Sequence, residues 1–388
     1  MSIEKAVIEK PTPRSTGVTT LTHGKDERLS VLSAAPIVLE TPHSLLAEHP
    51  VTPKPILFVR NVQHLPEQRT PEPSELADWE IALGGLIDQP VTIRGAELLK
   101  MDQVEHEMVL QCSGNGRAKF SEAFPIKGTA WNQGGVANVR FSGVPLSAVL
   151  EKHKVKIDRA ARFITAEGKD LPAAFETQDF EHSLPLASAL EKSIFALKLN
   201  GEPLSRLHGG PVRLATPGFY GTMHVKWLRQ LRFDQSESTN FYHATEYRVP
   251  KIFLKPGEQF EFTLENSIPT WKIRLMSFIF DPQPAATLQS GVQTFSGVAF
   301  NDGAARLESL LVSFDRGQSW RQAALHAPAS PYAWYPWTIK AELMPGTYEV
   351  WSRAVDALGR SQPLDGTIFW NPNGYEWNGV HKIAFTVK

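Results

Sequence analysis

The chain has 388 residues, enough for two or three domains, and its 42% hydrophobic and 21% charged content is that of a globular protein with a sizeable core. A formal net charge of -1 argues against a general nucleic-acid surface, and no apolar run approaches the length that spans a bilayer. A single cysteine, Cys112, excludes an internal disulfide, a CxxC pair and a CxxCH haem attachment site.

Residues 1–54 read as an extended N-terminal arm, because Pro11, Pro13, Pro36, Pro42, Pro50 and Pro53 break any helix. The first 28 residues are polar and charged and hold no apolar stretch of signal-peptide type, which fits either a cytosolic protein or a mature exported form. Ile56-Leu57-Phe58-Val59 reads as a short strand ending at Arg60-Asn61, and a proline-rich loop runs from Pro66 to Pro73. Trp79 to Leu83 alternates with period two, as a half-buried strand does. Ile93 to Leu99 reads as a strand end and a short helix, and Ala148 to Lys152 and Leu186 to Glu191 as further short helices. Residues 55–248 are therefore mixed α/β.

After Val249-Pro250 short alternating runs recur at 260–264, 297–300, 310–314 and 348–351. Turn signals separate them: Asn301-Asp302-Gly303, Asp315-Arg316-Gly317 and Pro345-Gly346. That spacing predicts an immunoglobulin-like β-sandwich over residues 249–388, an α+β chain overall. With no disulfide between its sheets, Trp320 or Trp351 is expected to fill the sandwich core.

Cys112 ends a predicted strand, Val104 to Gln111, and opens the turn Ser113-Gly114-Asn115-Gly116 before Arg117. One reading is a partly exposed thiol in an electropositive setting, with a lowered pKa. The other is a buried thiol acting as a small hydrophobe.

Gln111-Cys112-Ser113-Gly114-Asn115-Gly116-Arg117 resembles the cysteine motif of the sulfite oxidase family of molybdenum enzymes. Further blocks resemble the same family in the same order: Trp131 with Asn138 to Val144, Gly201 to Leu204, His208-Gly209-Gly210-Pro211-Val212-Arg213, and Pro217 to Trp227. The resemblance covers roughly residues 55–388. It implies that the Cys112 thiolate binds molybdenum beside the sulfurs of one molybdopterin, and a soft ligand suits such a metal.

Molybdopterin carries a phosphate and a polar pterin, so its site needs cations and close backbone. His208, Arg213, His224 and Lys226, with Val225 between the last two, are expected to supply the cationic side. Phe58-Val59-Arg60-Asn61 resembles the family's first motif, which implies Phe58, Arg60, Asn61 and, after two further residues, His64 at the cofactor, and Asp170 matches an aspartate that bonds the pterin. Arg60, Arg117 and Tyr247 are implied around a small oxyanion, with Trp131 as packing and Arg140 open between a supporting role and a structural one.

The resemblance further implies oxidation of sulfite to sulfate, with electrons passing to a separate c-type cytochrome. This chain shows no haem motif, no dinucleotide fingerprint and no His-Pro-Gly-Gly of a cytochrome b5 domain. A homodimer through the C-terminal domain and a periplasmic location are implied in the same way. Two departures stand out. Relatives read Arg-Asn-His where this chain has Arg60-Asn61-Val62-Gln63-His64, and Asn373 stands where animal enzymes carry an arginine. The alternatives are a sulfane-sulfur dehydrogenase, or a sulfoxide or nitrate reductase, on the same scaffold. An alternative of another class is a non-enzymatic secreted β-sandwich binding protein without a metal.

Overall fold

The structure, a computed structural model, describes residues 24–66, 73–170 and 178–388. Part of the arm is sheet. Ser30–Ala34 and Ile37–Glu40 pair antiparallel, and Ile37–Glu40 pairs again with Val59–Arg60. The prolines punctuate these elements without dissolving them: Pro36 falls between the two strands, and Pro42 caps the short helix His43–Leu46. Pro11 and Pro13 lie outside the described residues. The strand expected over 56–59 is instead a 3-10 turn, Lys54–Ile56, followed by a strand of only two residues. Pro53 and Pro55 lack the N–H groups that a ladder requires.

The unit over residues 55–248 holds two five-stranded sheets. In the first, Ile194–Leu199 and Val104–Gln111 flank Val136–Pro145, and Glu202–Pro203 and Arg213–Ala215 both pair with Ile194–Leu199. The second runs in the order Val91–Arg94, Glu80–Gly85, Leu228–Asp234, Phe163–Gly168 and Glu181–Pro185, and its one parallel pair is Glu80–Gly85 with Leu228–Asp234. Helices Leu146–Lys152 and Leu186–Lys192 each start directly after a proline whose fixed φ prepares the first turn. Val104–Gln111 begins exposed and ends buried, so it carries the chain from the surface into the interior at Cys112.

The C-terminal sandwich packs Met276–Asp281, Gly291–Phe300, Tyr335–Leu343 and Ala324–Leu325 against Thr287–Leu288, His381–Val387, Gly346–Asp356, Leu307–Ser313 and Arg321–Gln322. Its regular strands therefore start well after residue 249. Phe260 to Leu264 is loop; the alternation there brings Phe260 and Phe262 edge to face at 4.9 Å, with no neighbouring strand to pair with. The core tryptophan is neither of the two expected. Trp337 is fully buried beside Phe295, Leu310 and Val350, whereas Trp320 and Trp351 are half-buried at the surface, the latter capped by Lys382.

Beside the core of each, the two units share a further apolar cluster. Leu46, Val109, Phe120, Val136 and Tyr220 pack with Phe278, Phe300, Trp334, Trp370 and Trp377 of the C-terminal part.

Candidate active site

A cleft of roughly 700 Å³ opens where the first sheet, the Arg60 segment and the loops from 204 to 227 meet. Its lining includes Phe58, Arg60, Asn61, Cys112, Asp170, His208, Arg213, His224, Lys226 and Tyr247, brought together from positions up to 189 residues apart in the chain. Leu110, Val62, Phe180, Thr222 and Trp227 also line it. Thr222 and Trp227 fall within the Pro217 to Trp227 block, whereas sequence reasoning missed Leu110, Val62 and Phe180 as lining, because no local pattern marks them.

Cys112 is held at the strand end by its own N–H, which donates to the Gly135 carbonyl at 2.8 Å. The next turn is closed by the Asn115 N–H on the Cys112 carbonyl at 3.0 Å. The thiol is only 7% exposed, and burial raises its pKa against the opposing pull of Arg60, the Gly114 N–H and Arg117. The expected exposed, acidified thiol is thus corrected. The electropositive neighbours are present, but desolvation outweighs them. Such a sulfur becomes thiolate only when a stronger partner, such as a metal ion, replaces its proton.

Around the sulfur, burial presses against the charge of Arg60, yet Tyr247, Cys112 and Tyr375 outweigh it and raise its pKa. The Tyr247 phenol is pushed up to about 12, by burial before all else, so it is a proton donor at neutral pH. Tyr375 stacks on Tyr247 with ring centroids 5.1 Å apart, and its hydroxyl donates to Glu246 at 3.0 Å. Arg117 does not line the cleft. Its Nε donates to the Asn373 carbonyl and its Nη1 to the Thr129 carbonyl, both at 3.0 Å, beneath the Tyr375 ring. Asn373 thus occupies itself with holding Arg117 and, through its amide, the Glu246 carbonyl at 2.8 Å.

The second group lies around the 204–227 loops. Gly209 takes φ +94°, and a Cβ there would stand 2.7 Å from the Lys226 side chain, so only glycine lets the two segments close. Arg213 donates to the carbonyls of His208 at 3.0 Å and His224 at 2.9 Å. Burial lowers its pKa to about 9, which leaves it charged at neutral pH. Lys226 donates to Asn61 Oδ1 at 2.5 Å and to the carbonyls of Arg60 at 2.9 Å and Leu207 at 3.1 Å. All three of its hydrogens are thereby used on the protein, so Lys226 ties the first motif to the loop in addition to lending charge. His224 donates from Nε2 to the Thr216 carbonyl at 3.0 Å, and burial followed by Arg213 brings its pKa to about 3. It is therefore neutral, with an acceptor at Nδ1.

Two predicted residues stand apart. His64 is exposed and does not line the cleft: the two extra residues after Asn61 carry it out, while Gln63 turns inward to Tyr242. Val225 sits in the apolar core with its carbonyl bonded to the Leu214 N–H, so its side chain meets no ligand. Trp131 is fully buried against Phe58, as packing, and Arg140 lies on the surface bonded to Glu107 at 2.8 Å.

The donor set fits a phosphorylated pterin. Asp170 Oδ1, Arg213 Nε and His224 Nδ1 are buried, belong to cleft-lining residues and have no protein partner among the described residues. Such atoms are costly unless something bonds them. They comprise a carboxyl oxygen, a cationic donor and a neutral acceptor. A heterocycle with both N–H and C=O edges answers such a set, and the guanidinium groups of Arg60 and Arg213 suit its phosphate.

Comparison with known proteins agrees. Residues 67–242 match the oxidoreductase molybdopterin binding domain, and residues 267–388 the Mo-co oxidoreductase dimerisation domain. The chain is 32% identical over 380 residues to mitochondrial sulfite oxidase of Drosophila melanogaster, across 92% of this chain and 63% of that protein. It is 31% identical over 341 residues to the NADPH nitrate reductase of Neurospora crassa, across 79% of this chain and 34% of that one. The chain thus spans less than two thirds of either relative's length. The crystal structure of the sulfane dehydrogenase SoxCD from Paracoccus pantotrophus superposes with a TM-score of 0.75 over 96% of this chain and 92% of that one, at 24% identity, a likeness of fold. The match leaves the reading as a non-enzymatic adhesion module without support. With both domains matched in tandem and the cysteine, glycine and histidine motifs gathered at one cleft, the chain belongs to the sulfite oxidase family of molybdopterin oxidoreductases.

Proposed function

We propose that this protein is a molybdenum-dependent sulfite dehydrogenase that oxidises sulfite to sulfate and passes two electrons, one at a time, to a separate c-type cytochrome. The reading includes a homodimer formed through the C-terminal domain and a periplasmic location. The observation that carries it is the grouping of the sole thiol, Cys112, with Arg60 and Tyr247 in the same cleft as the pterin-fitting groups of Asp170, Arg213 and His224.

When bound, the molybdenum centre supplies a two-electron acceptor that no side chain in the cleft provides. Cys112 would hold the metal, and Asp170, His208, Arg213, His224 and Lys226 the pterin. Arg60 gives a fixed positive charge for an oxyanion, and the Tyr247 hydroxyl a donor that stays protonated throughout the physiological range. Phe58, Val62, Leu110 and Phe180 supply apolar walls that exclude water and strengthen both interactions. Sulfite and water give sulfate, two protons and two electrons.

A second reading rests on Arg117 and Asn373. With Arg117 tied to backbone carbonyls and an asparagine beside it, Arg60 is, among the described residues, the one cleft-lining guanidinium outside the 204–227 loops, where Arg213 sits. A single guanidinium beside Cys112 and Tyr247 suits a less charged sulfur substrate, such as protein-bound sulfane sulfur. The test compares steady-state activity on sulfite, thiosulfate and protein-bound sulfane, with cytochrome c and oxygen as acceptors. Sulfite-dependent reduction of cytochrome c is expected, and Cys112→Ser should abolish it with the fold intact. A molybdenum content near zero after expression in a cofactor-competent host would sink both readings.

A further inference from the structure

Lys25 lies before both family matches, 183 residues from His208, yet the two side chains meet. Lys25 Nζ stands 2.5 Å from the Lys54 carbonyl, 2.8 Å from the Leu57 carbonyl and 2.8 Å from His208 Nε2. An ammonium group has three hydrogens, and these three acceptors use all of them. The hydrogen between lysine and histidine then comes from the lysine, so Nε2 accepts and the imidazole proton sits on Nδ1. His208 is buried in the cleft wall, and burial, followed by Lys25, Lys226, Arg213 and Lys54, holds its pKa well below the usual range. It is therefore neutral, and its tautomer is set by the bond at its other nitrogen.

We infer that Lys25 is a positioning residue of the cofactor site: it fixes His208 as the Nδ1–H tautomer and so makes it a hydrogen-bond donor toward an acceptor atom of the bound pterin cofactor. The inference rests on the molybdopterin reading above. Among the described residues His208 Nδ1 has no hydrogen-bond partner, which leaves that N–H available to a ligand. The N-terminal segment is thereby part of the site, and Lys54, itself paired to Glu202 at 2.5 Å, holds it from the outer side.

Burial, then the charge of Lys54, brings the Lys25 amine down to about 7, so the tautomer is best read at pH 6, where the amine is protonated. The experiment labels the 12 histidines with 15N and identifies His208 by its loss in His208→Gln. The expected spectrum shows Nδ1 protonated in the holoprotein, and a shift toward Nε2–H in Lys25→Met. The second readout is molybdenum and pterin retained per chain during dialysis, with Lys25→Met losing cofactor about tenfold faster. If Lys25 acts through His208, Lys25→Met adds nothing to the loss in His208→Gln. Lys25→Gln, which still donates to the two carbonyls, replaces the methionine variant should that one not fold. An Nε2–H tautomer in the wild type, additive losses, or unchanged retention in Lys25→Met would each overturn the inference. A wild type that holds no molybdopterin sinks the functional reading instead, and the tautomer spectrum then decides this one alone.

Discussion

At Tyr247 the proposed chemistry rests on one hydrogen. Its phenol stays protonated to about pH 12 and lines the same cleft as Cys112 and Arg60. Tyr247→Phe keeps the ring that stacks on Tyr375 and removes only the donor. Its kcat/KM for the oxyanion substrate is expected to fall about tenfold to a hundredfold, that is about 1.4–2.7 kcal/mol, with the melting temperature unchanged. Asp170 gives a pH signature. Burial raises its pKa to about 7 against the pull of Lys226, far above its ordinary 3.8. A carboxyl whose folded pKa is raised contributes stability that is full below the unfolded value and is lost as pH rises through the folded one. Protein made in a host unable to synthesise the cofactor should therefore lose up to about 4 kcal/mol between pH 4 and pH 7.5. Asp170→Asn should flatten that slope in urea titrations. The motifs made Cys112, the glycines and His208 to Lys226 legible in the sequence. Thiol burial, the outward turn of His64 and the tying of Arg117 were not, because each depends on what distant segments deliver to the same point.

Among the elements, the 208–213 loop and the 217–227 segment close on each other only because Gly209 has no side chain. Gly209→Ala meets two obstacles, a positive φ and a Cβ pressed 2.7 Å from the Lys226 side chain. Pushing Lys226 away breaks its bonds to Arg60, Asn61 and Leu207 and loosens the cofactor side of the cleft. Purified Gly209→Ala is expected to carry less than a tenth of the wild-type molybdenum, measured by elemental analysis. Most short helices and strands followed directly from periodicity and proline placement. The errors came where alternation had no partner strand, as at Phe260 to Leu264, and where several tryptophans competed for one core. Trp320, Trp337 and Trp351 look alike in sequence, and only sheet packing decides that Trp337 goes inside.

For the whole molecule, the cluster of Phe120, Val136, Tyr220, Phe278, Trp370 and Trp377 joins the two domains' own cores through a third that both share. Calorimetry should show one unfolding transition, in which Phe278→Ala lowers the stability of both domains together by about 3–5 kcal/mol. Light scattering should give twice the 43.2 kDa of the single chain, through the matched dimerisation domain. A monomer at micromolar concentration would contradict that.

The segment 373–376 has a further consequence. The Asn373 carbonyl holds Arg117, Tyr375 backs Tyr247, and the Glu376 N–H donates to the Ser113 carbonyl next to Cys112 at 2.8 Å. A chain cut before residue 373 would therefore keep every motif from Gln111 to Trp227 and still lose the contacts that stand behind Arg117, Tyr247 and Ser113.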